Sequence, residues 1–305
     1  MRHIIFAMLI ALFSAACTKQ RPVDGSVERP LRVLLIPADG GTEQGTLADY
    51  EPLFKSLTER SGLHFQLRVA QSYNAVVEGM AAGQVDVAFF GPVSYMQAKK
   101  RNAAQLLAVA VEKGESVYYA ALFARKDSGI AALSDLAGRS VAFGDVNSTS
   151  SFVMPVAMMM EAKVDPVQDL KQIIFAGSHS SALAALEAGK VDVAAASLNS
   201  YEKAVSNHTI DPQHVVIVAK SGPIPYPPLA MSTTLDESLK KRLRDALRSV
   251  HEGQVDPSMI KGYGGKQVDR YDVDYPEQKF DEAMDRLNLV TDDLKARLVA
   301  KASAQ

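Results

Sequence analysis

Four consecutive hydroxyls, Ser148-Thr149-Ser150-Ser151, stand between an apolar run ending at Phe143 and the apolar stretch Phe152 to Met160. A helix start leaves backbone N–H groups unpaired and carries partial positive charge. One serine at the N-cap satisfies one such group. Four hydroxyls make either a multiply capped start or, with the first-turn N–H groups, a neutral donor-rich cradle for a tetrahedral oxyanion. Ser178-His179-Ser180-Ser181 opens a second helical stretch in the same way. His179 can donate from a ring nitrogen. Tyr73 and Tyr95, each following a β-type run, add phenol donors. Asp39 and Asp145 could pair as carboxylates, but each fits a loop or N-cap role better than catalysis. The chain carries no Gly-x-Ser-x-Gly elbow, no phosphate loop of the Gly-x4-Gly-Lys-Ser type and no His-Glu-x-x-His or Cys/His cluster. Those omissions argue against an enzyme, a bound metal and a cofactor.

These residues need elements to position them, and an internal repeat supplies them. Residues 72–95 and 178–201 align without a gap at an offset of 106: Ala82-Gly83-x-Val85-Asp86-Val87-Ala88 matches Ala188-Gly189-x-Val191-Asp192-Val193-Ala194. Tyr73 falls in register with His179, Asp39 with Asp145 and Thr42 with Ser148. A period this long means two similar half-structures rather than a solenoid. Each reads strand, polar loop, helix, strand, polar loop, helix, strand. The expected strands are 31–36, 65–69 and 85–89 in one half, 140–143, 172–175 and 191–195 in the other. Strands alternating with helices imply α/β architecture with mostly parallel sheets flanked by helices. Ligands then sit beyond the carboxyl ends of the strands. The loops Pro37–Thr42, Gln71–Asn74, Phe90–Tyr95, Gly144–Ser151, Ser178–Ser181 and Ser197–Tyr201 should therefore face one place. Two runs, Val117 to Ala124 and Tyr226 to Thr233, read as hinge strands. They divide the chain into lobe one (31–120 with 227–305) and lobe two (121–226).

Residues 1–16 read as a signal peptide: a short basic start, the apolar run Ile4 to Phe13 and the small residues Ser14-Ala15-Ala16. Cys17, the single cysteine, follows directly and forms no internal disulfide. The ending resembles a lipoprotein box, with Ser14 where leucine is commonest, and implies lipidation of Cys17 with residues 17–30 as a tether. Lys+Arg 33 against Asp+Glu 35, with no basic stripe interleaved with aromatics, argues against a nucleic-acid partner. No other segment has 18 apolar residues in a row. The export signal and cysteine-free body fit an extracytoplasmic, periplasmic location.

Several motifs together carry a family resemblance: Ser72-Tyr73-x4-Glu78-Gly79-Met80; Val85-Asp86-Val87-Ala88-Phe89-Phe90-Gly91-Pro92-x-Ser94-Tyr95; Arg125-Lys126-Asp127-Ser128-Gly129-Ile130; Leu133-x-Asp135-Leu136-x-Gly138; Ser148-Thr149-Ser150; and Gly177-Ser178-His179. From about Leu31 to Leu235 the chain resembles the substrate-binding proteins of bacterial ABC importers for phosphate, phosphite and phosphonates. The resemblance implies a two-lobed clamp of the type II periplasmic-binding-protein kind, a monomer that closes on its ligand and docks on an inner-membrane ABC permease. A sensory module signalling through a partner receptor would use the same clamp. The resemblance also implies that Tyr73, Tyr95, Ser148, Thr149 and His179 contact the oxyanion, with help from Ser150. Ser151 departs from the family, which often has glycine there. Aminoalkylphosphonate binders carry acidic residues near Ser197-Leu198-Asn199-Ser200 and Pro225-Tyr226-Pro227, where this chain has none. That departure implies a compact ligand: phosphite, phosphate or methylphosphonate.

Overall fold

The computed structural model describes residues 24–37 and 42–304. The expected signal peptide, Cys17 and Asp39 lie outside the described residues. The first half runs β1 (Leu31–Leu35), α1 (Glu43–Ser61), β2 (Phe65–Val69), α2 (Tyr73–Ala81), β3 (Val87–Phe89), α3 (Pro92–Lys100) and β4 (Ala104–Val111). It crosses through β5 (Val117–Tyr118) into β6 (Ala120–Arg125), β7 (Ser140–Phe143), α4 (Met154–Glu161), β8 (Gln172–Phe175), α5 (His179–Glu187), β9 (Val193–Ser197), α6 (Leu198–Ser206) and β10 (Val215–Lys220). It returns through β11 (Ile224–Pro225) to β12 (Pro228–Ser232), α7 (Glu237–Arg248), β13 (Arg270–Asp272), α8 (Gln278–Asp285) and α9 (Asp292–Ser303).

The repeat folds as two similar sheets, ordered β13-β4-β12-β3-β1-β2 and β10-β6-β9-β7-β8. In each, three parallel strands are joined by antiparallel ones. The sheets are thus mixed rather than mostly parallel. The reason is the crossovers: the chain enters lobe two as β6, antiparallel to β9, and re-enters lobe one as β12, antiparallel to β3. Each presumed hinge run is consequently split. Only the short β5–β11 ladder stands between the lobes, while β6 and β12 are buried members of the two sheets.

The repeated Val-Asp-Val motif has a structural cause. The Asp86 carboxylate accepts the Arg32 N–H at 2.7 Å and the Arg32 side chain at 2.7 and 2.8 Å. Asp192 accepts the Ser140 N–H at 2.8 Å and its hydroxyl at 2.6 Å. Asp86 ties the turn before β3 to the start of β1, and Asp192 ties the turn before β9 to the start of β7. The Ala-Gly that precedes each aspartate ends the helix, with Gly83 and Gly189 both at φ +66, the left-handed region where glycine has no Cβ penalty.

Two boundaries differ from expectation. Residues 24–30, expected to be tether, fold onto lobe one: the Gly25 carbonyl accepts the His64 N–H at 2.7 Å, and Asp24 pairs with Arg29. The final residues, assigned to lobe one, pack on lobe two. There α9 lies on β8, Lys301 donates to the Val167 carbonyl at 2.6 Å, and Arg286 pairs with Glu161 at 3.0 Å. Segment 277–303 is thus a third connection, running from α3 in lobe one to β8 in lobe two.

Asp86 is buried and holds three donors, so its loss strands the Arg32 N–H and guanidinium together. Asp86→Ala is expected to lower unfolding free energy by about 2–4 kcal/mol, read by denaturant titration.

Candidate functional site

Ser72 and Ser178 cap α2 and α5 in the same manner, accepting the Ala75 and Ser181 N–H groups at 3.1 and 3.0 Å. The first helical residues are then Tyr73 and His179, and these repeat-equivalent side chains meet between the lobes, Tyr73 Oη to His179 Nε2 at 3.5 Å. His179 is completely buried. Its Nδ1 accepts the Ser197 N–H at 3.0 Å, so the ring proton sits on Nε2. Burial holds its pKa down from 6.5 to about 3, and the ring stays neutral. Around Nε2 lie Tyr263 Oη at 3.1 Å, Ser148 Oγ at 3.3 Å and Tyr73 Oη. Four elements therefore bring polar hydrogens to one buried point.

The row of hydroxyls divides its work. Ser148 caps: its Oγ accepts the Ser151 N–H at 3.2 Å, and its carbonyl accepts the Val153 N–H at 3.0 Å across a π-helical turn, Thr149–Val153, that leads into α4. Such turns recur at functional sites. Thr149 reaches the other lobe, its Oγ1 accepting the Val93 N–H at the start of α3 at 2.8 Å. Asp145 does the same for α2: one oxygen accepts the Tyr73 N–H at 3.1 Å, the other the Asn147 N–H at 2.8 Å. Burial raises the pKa of this carboxylate. Ser150 is buried in the same turn. Ser151 fits because position 144 is glycine: a Cβ there would lie 2.2 Å from its Oγ.

Tyr95 stands apart from this group. Its ring packs edge-on against Phe280 at 5.3 Å, and its hydroxyl donates to Glu277. Burial, reinforced by that carboxylate, raises its pKa far above the ordinary phenol range. Its position thus serves the junction of α3 and α8. Two residues were missed. Tyr263 lies in Gly262-Tyr263-Gly264-Gly265, where a lone tyrosine among glycines is the one sequence signal. Glu112 corrects the reading that no carboxylate faces Asn199 and Tyr226: it accepts from Asn199 Nδ2 at 3.2 Å and from Tyr226 Oη at 3.4 Å. It comes from the end of β4, remote in sequence from both.

The contact of Ser148 with His179 is not a nucleophile–base pair. A base needs a free Nε2 lone pair, and the Ser197 N–H fixes the proton there. What the arrangement can do is donate. It offers neutral O–H and N–H groups beside the starts of α2, α4 and α5, with little solvent competition.

Residues 41–274 match the family described as ABC transporter, phosphonate, periplasmic substrate-binding protein. The chain belongs to this family. Over 200 residues, 61% of this chain and 62% of the other, it is 34% identical to the phosphate-import protein PhnD of Mycolicibacterium smegmatis. It is 27% identical over 228 residues to the phosphonates-binding periplasmic protein of Escherichia coli, covering 73% of this chain and 67% of that one. The match thus spans less than two thirds of the Mycolicibacterium protein. A binding-protein component of an ABC phosphonate transporter from Pseudomonas aeruginosa superposes with a TM-score of 0.75 at 23% identity, over 90% of this chain and 94% of that one. The fold of the family member described here is accordingly the two-lobed type II clamp.

The neutral His179 carries a pH signature. Between pH 6.5 and about 3 the unfolded chain binds a proton that the folded ring refuses. Stability present above pH 6.5 is therefore lost as pH falls through that window. From pH 6 to 5 the wild type is expected to lose about 1 kcal/mol more unfolding free energy than His179→Gln, checked by denaturant melts at each pH.

Proposed function

We propose that this protein captures a compact phosphorus oxyanion (phosphite, phosphate or a small phosphonate) between its lobes and presents it to an ABC permease. It works outside the cytoplasm as a monomer anchored through a lipidated Cys17. The observation that carries the reading is the convergence of Tyr73, Ser148 and His179, with Thr149 and Ser150 in the adjoining turn, on one buried point. A tetrahedral anion there would bond both lobes and stabilise their closed arrangement. Buried hydroxyls also select, since an analogue lacking an oxygen leaves one of them unpaired. Membership of the phosphonate family and the phosphate-import relative support the same ligand chemistry.

Isothermal titration of the mature protein against phosphite, phosphate, methylphosphonate, 2-aminoethylphosphonate and sulfate tests this. Micromolar or tighter binding of one compact phosphorus oxyanion is expected, weakened at least about 100-fold in Ser148→Ala/Thr149→Ala, which removes two hydroxyls. Glu112→Gln is expected to leave that affinity unchanged. Tighter binding of 2-aminoethylphosphonate than of phosphite, lost in Glu112→Gln, would overturn the compact class in favour of ammonium-bearing ligands. Binding of none of the five would overturn the oxyanion reading.

A further inference from the structure

Tyr263 belongs to a short finger. Lys261 bridges Gln267 at its base, and Gly264 and Gly265 at its tip hold φ of +71 and +66. The finger precedes β13 of the lobe-one sheet, yet its tip lies on α6 of lobe two. It fits closely there: a Cβ at Gly264 would lie 2.7 Å from the Asn199 Cβ. Its flanks are pinned by charge. Asp49 of α1 pairs with both Lys203 of α6 and Lys261, and Lys266 pairs with Glu202.

We propose that Tyr263 is a ligand-binding residue that this finger delivers from lobe one, and that its hydroxyl changes from acceptor to donor when the anion arrives; the inference rests on the oxyanion reading above. His179 Nε2 holds one proton, and of the three oxygens around it Tyr263 Oη is the nearest, at 3.1 Å. In this arrangement the phenol accepts from the ring, and its own proton is one that an arriving anion would draw to itself. An oxyanion is a stronger acceptor than any hydroxyl. Entering the cluster, it takes the Nε2–H and leaves the phenol, like Ser148 and Tyr73, to donate to its oxygens. The Tyr263 hydroxyl lies 3.5 Å from Ser200 Oγ as well as 3.1 Å from His179 Nε2. The ring meets Tyr118 edge-on at 5.4 Å and Tyr226 at 6.3 Å, contacts that phenylalanine would make equally well. The backbone carbonyl of Tyr263 accepts the Tyr226 hydroxyl at 3.0 Å and fixes the fingertip independently of its phenol.

Tyr263→Phe and Gly264→Ala separate these contributions. Both would be titrated beside the wild type with phosphite, phosphate and methylphosphonate, with thermal melts of each ligand-free protein. Tyr263→Phe, which also removes the acceptor nearest the buried Nε2–H, is expected to weaken the tightest-bound anion about 10- to 100-fold while its ligand-free melting falls by no more than about 2–4 °C. Gly264→Ala, which adds a Cβ where the tip meets Asn199, is expected to weaken it at least as much. Affinity of Tyr263→Phe within about twofold of wild type would overturn the proposal, whatever Gly264→Ala does, and would leave the oxyanion reading standing. Failure of the wild type to bind any of the three would overturn both.

Discussion

The hydrogen bond from the Ser197 N–H to His179 Nδ1 governs the chemistry of the cleft. It is made where β9 passes into α6, inside lobe two, so it is present whatever lobe one does. By occupying the Nδ1 lone pair it puts the only ring proton on Nε2 and aims it at the interlobe space. Burial of the ring then keeps it neutral. From these two facts it follows that Nε2 of His179 donates and does not accept, and that Ser148 beside it has no base to take its proton.

Pseudo-symmetry decides which residues meet that proton. Tyr73 and His179 are the same position in two copies of one unit, and serine caps place both at the first turn of a helix. Two similar lobes facing each other bring equivalent points together, so the pair meets head-on. Lobe two then uses its acceptors to hold two helix starts of lobe one, Asp145 on α2 and Thr149 on α3. The helix ends that attract anions are thus already satisfied in part by side chains, and the cost of keeping the lobes together without ligand is reduced.

The sequence made legible what is local or repeated. The offset of 106 revealed the two units, the hydroxyl runs marked two helix starts, and the register of Tyr73 with His179 pointed to their meeting. What remained hidden depends on long-range closure. Glu112 reaches Asn199 and Tyr226 across 87 and 114 residues, and Tyr263 reaches His179 across 84, with no periodicity to signal either. Tyr95 follows its motif, but a phenol is directed by whatever packs on it. Here that is Phe280 and Glu277, from a segment outside the repeat. The same segment carries α9 onto lobe two, which strand and helix patterning cannot reveal, because an amphipathic helix does not name the face it covers.

A cleft of neutral donors makes physical sense for a protein that must also let go. A buried arginine would bind an anion tightly, but it would have to be desolvated and would stand uncompensated whenever the cleft emptied. Hydroxyls carry no charge, so a cluster such as Tyr263, Ser148 and Tyr73 around Nε2 is built without burying a cation. The half-buried carboxylate of Glu112 is held by Asn199 and Tyr226 rather than by a cation. It puts negative charge at one end of a donor cluster. Charge of that sign offers an anion nothing, so it is the helix starts and polar hydrogens around His179 that would hold the proposed oxyanion.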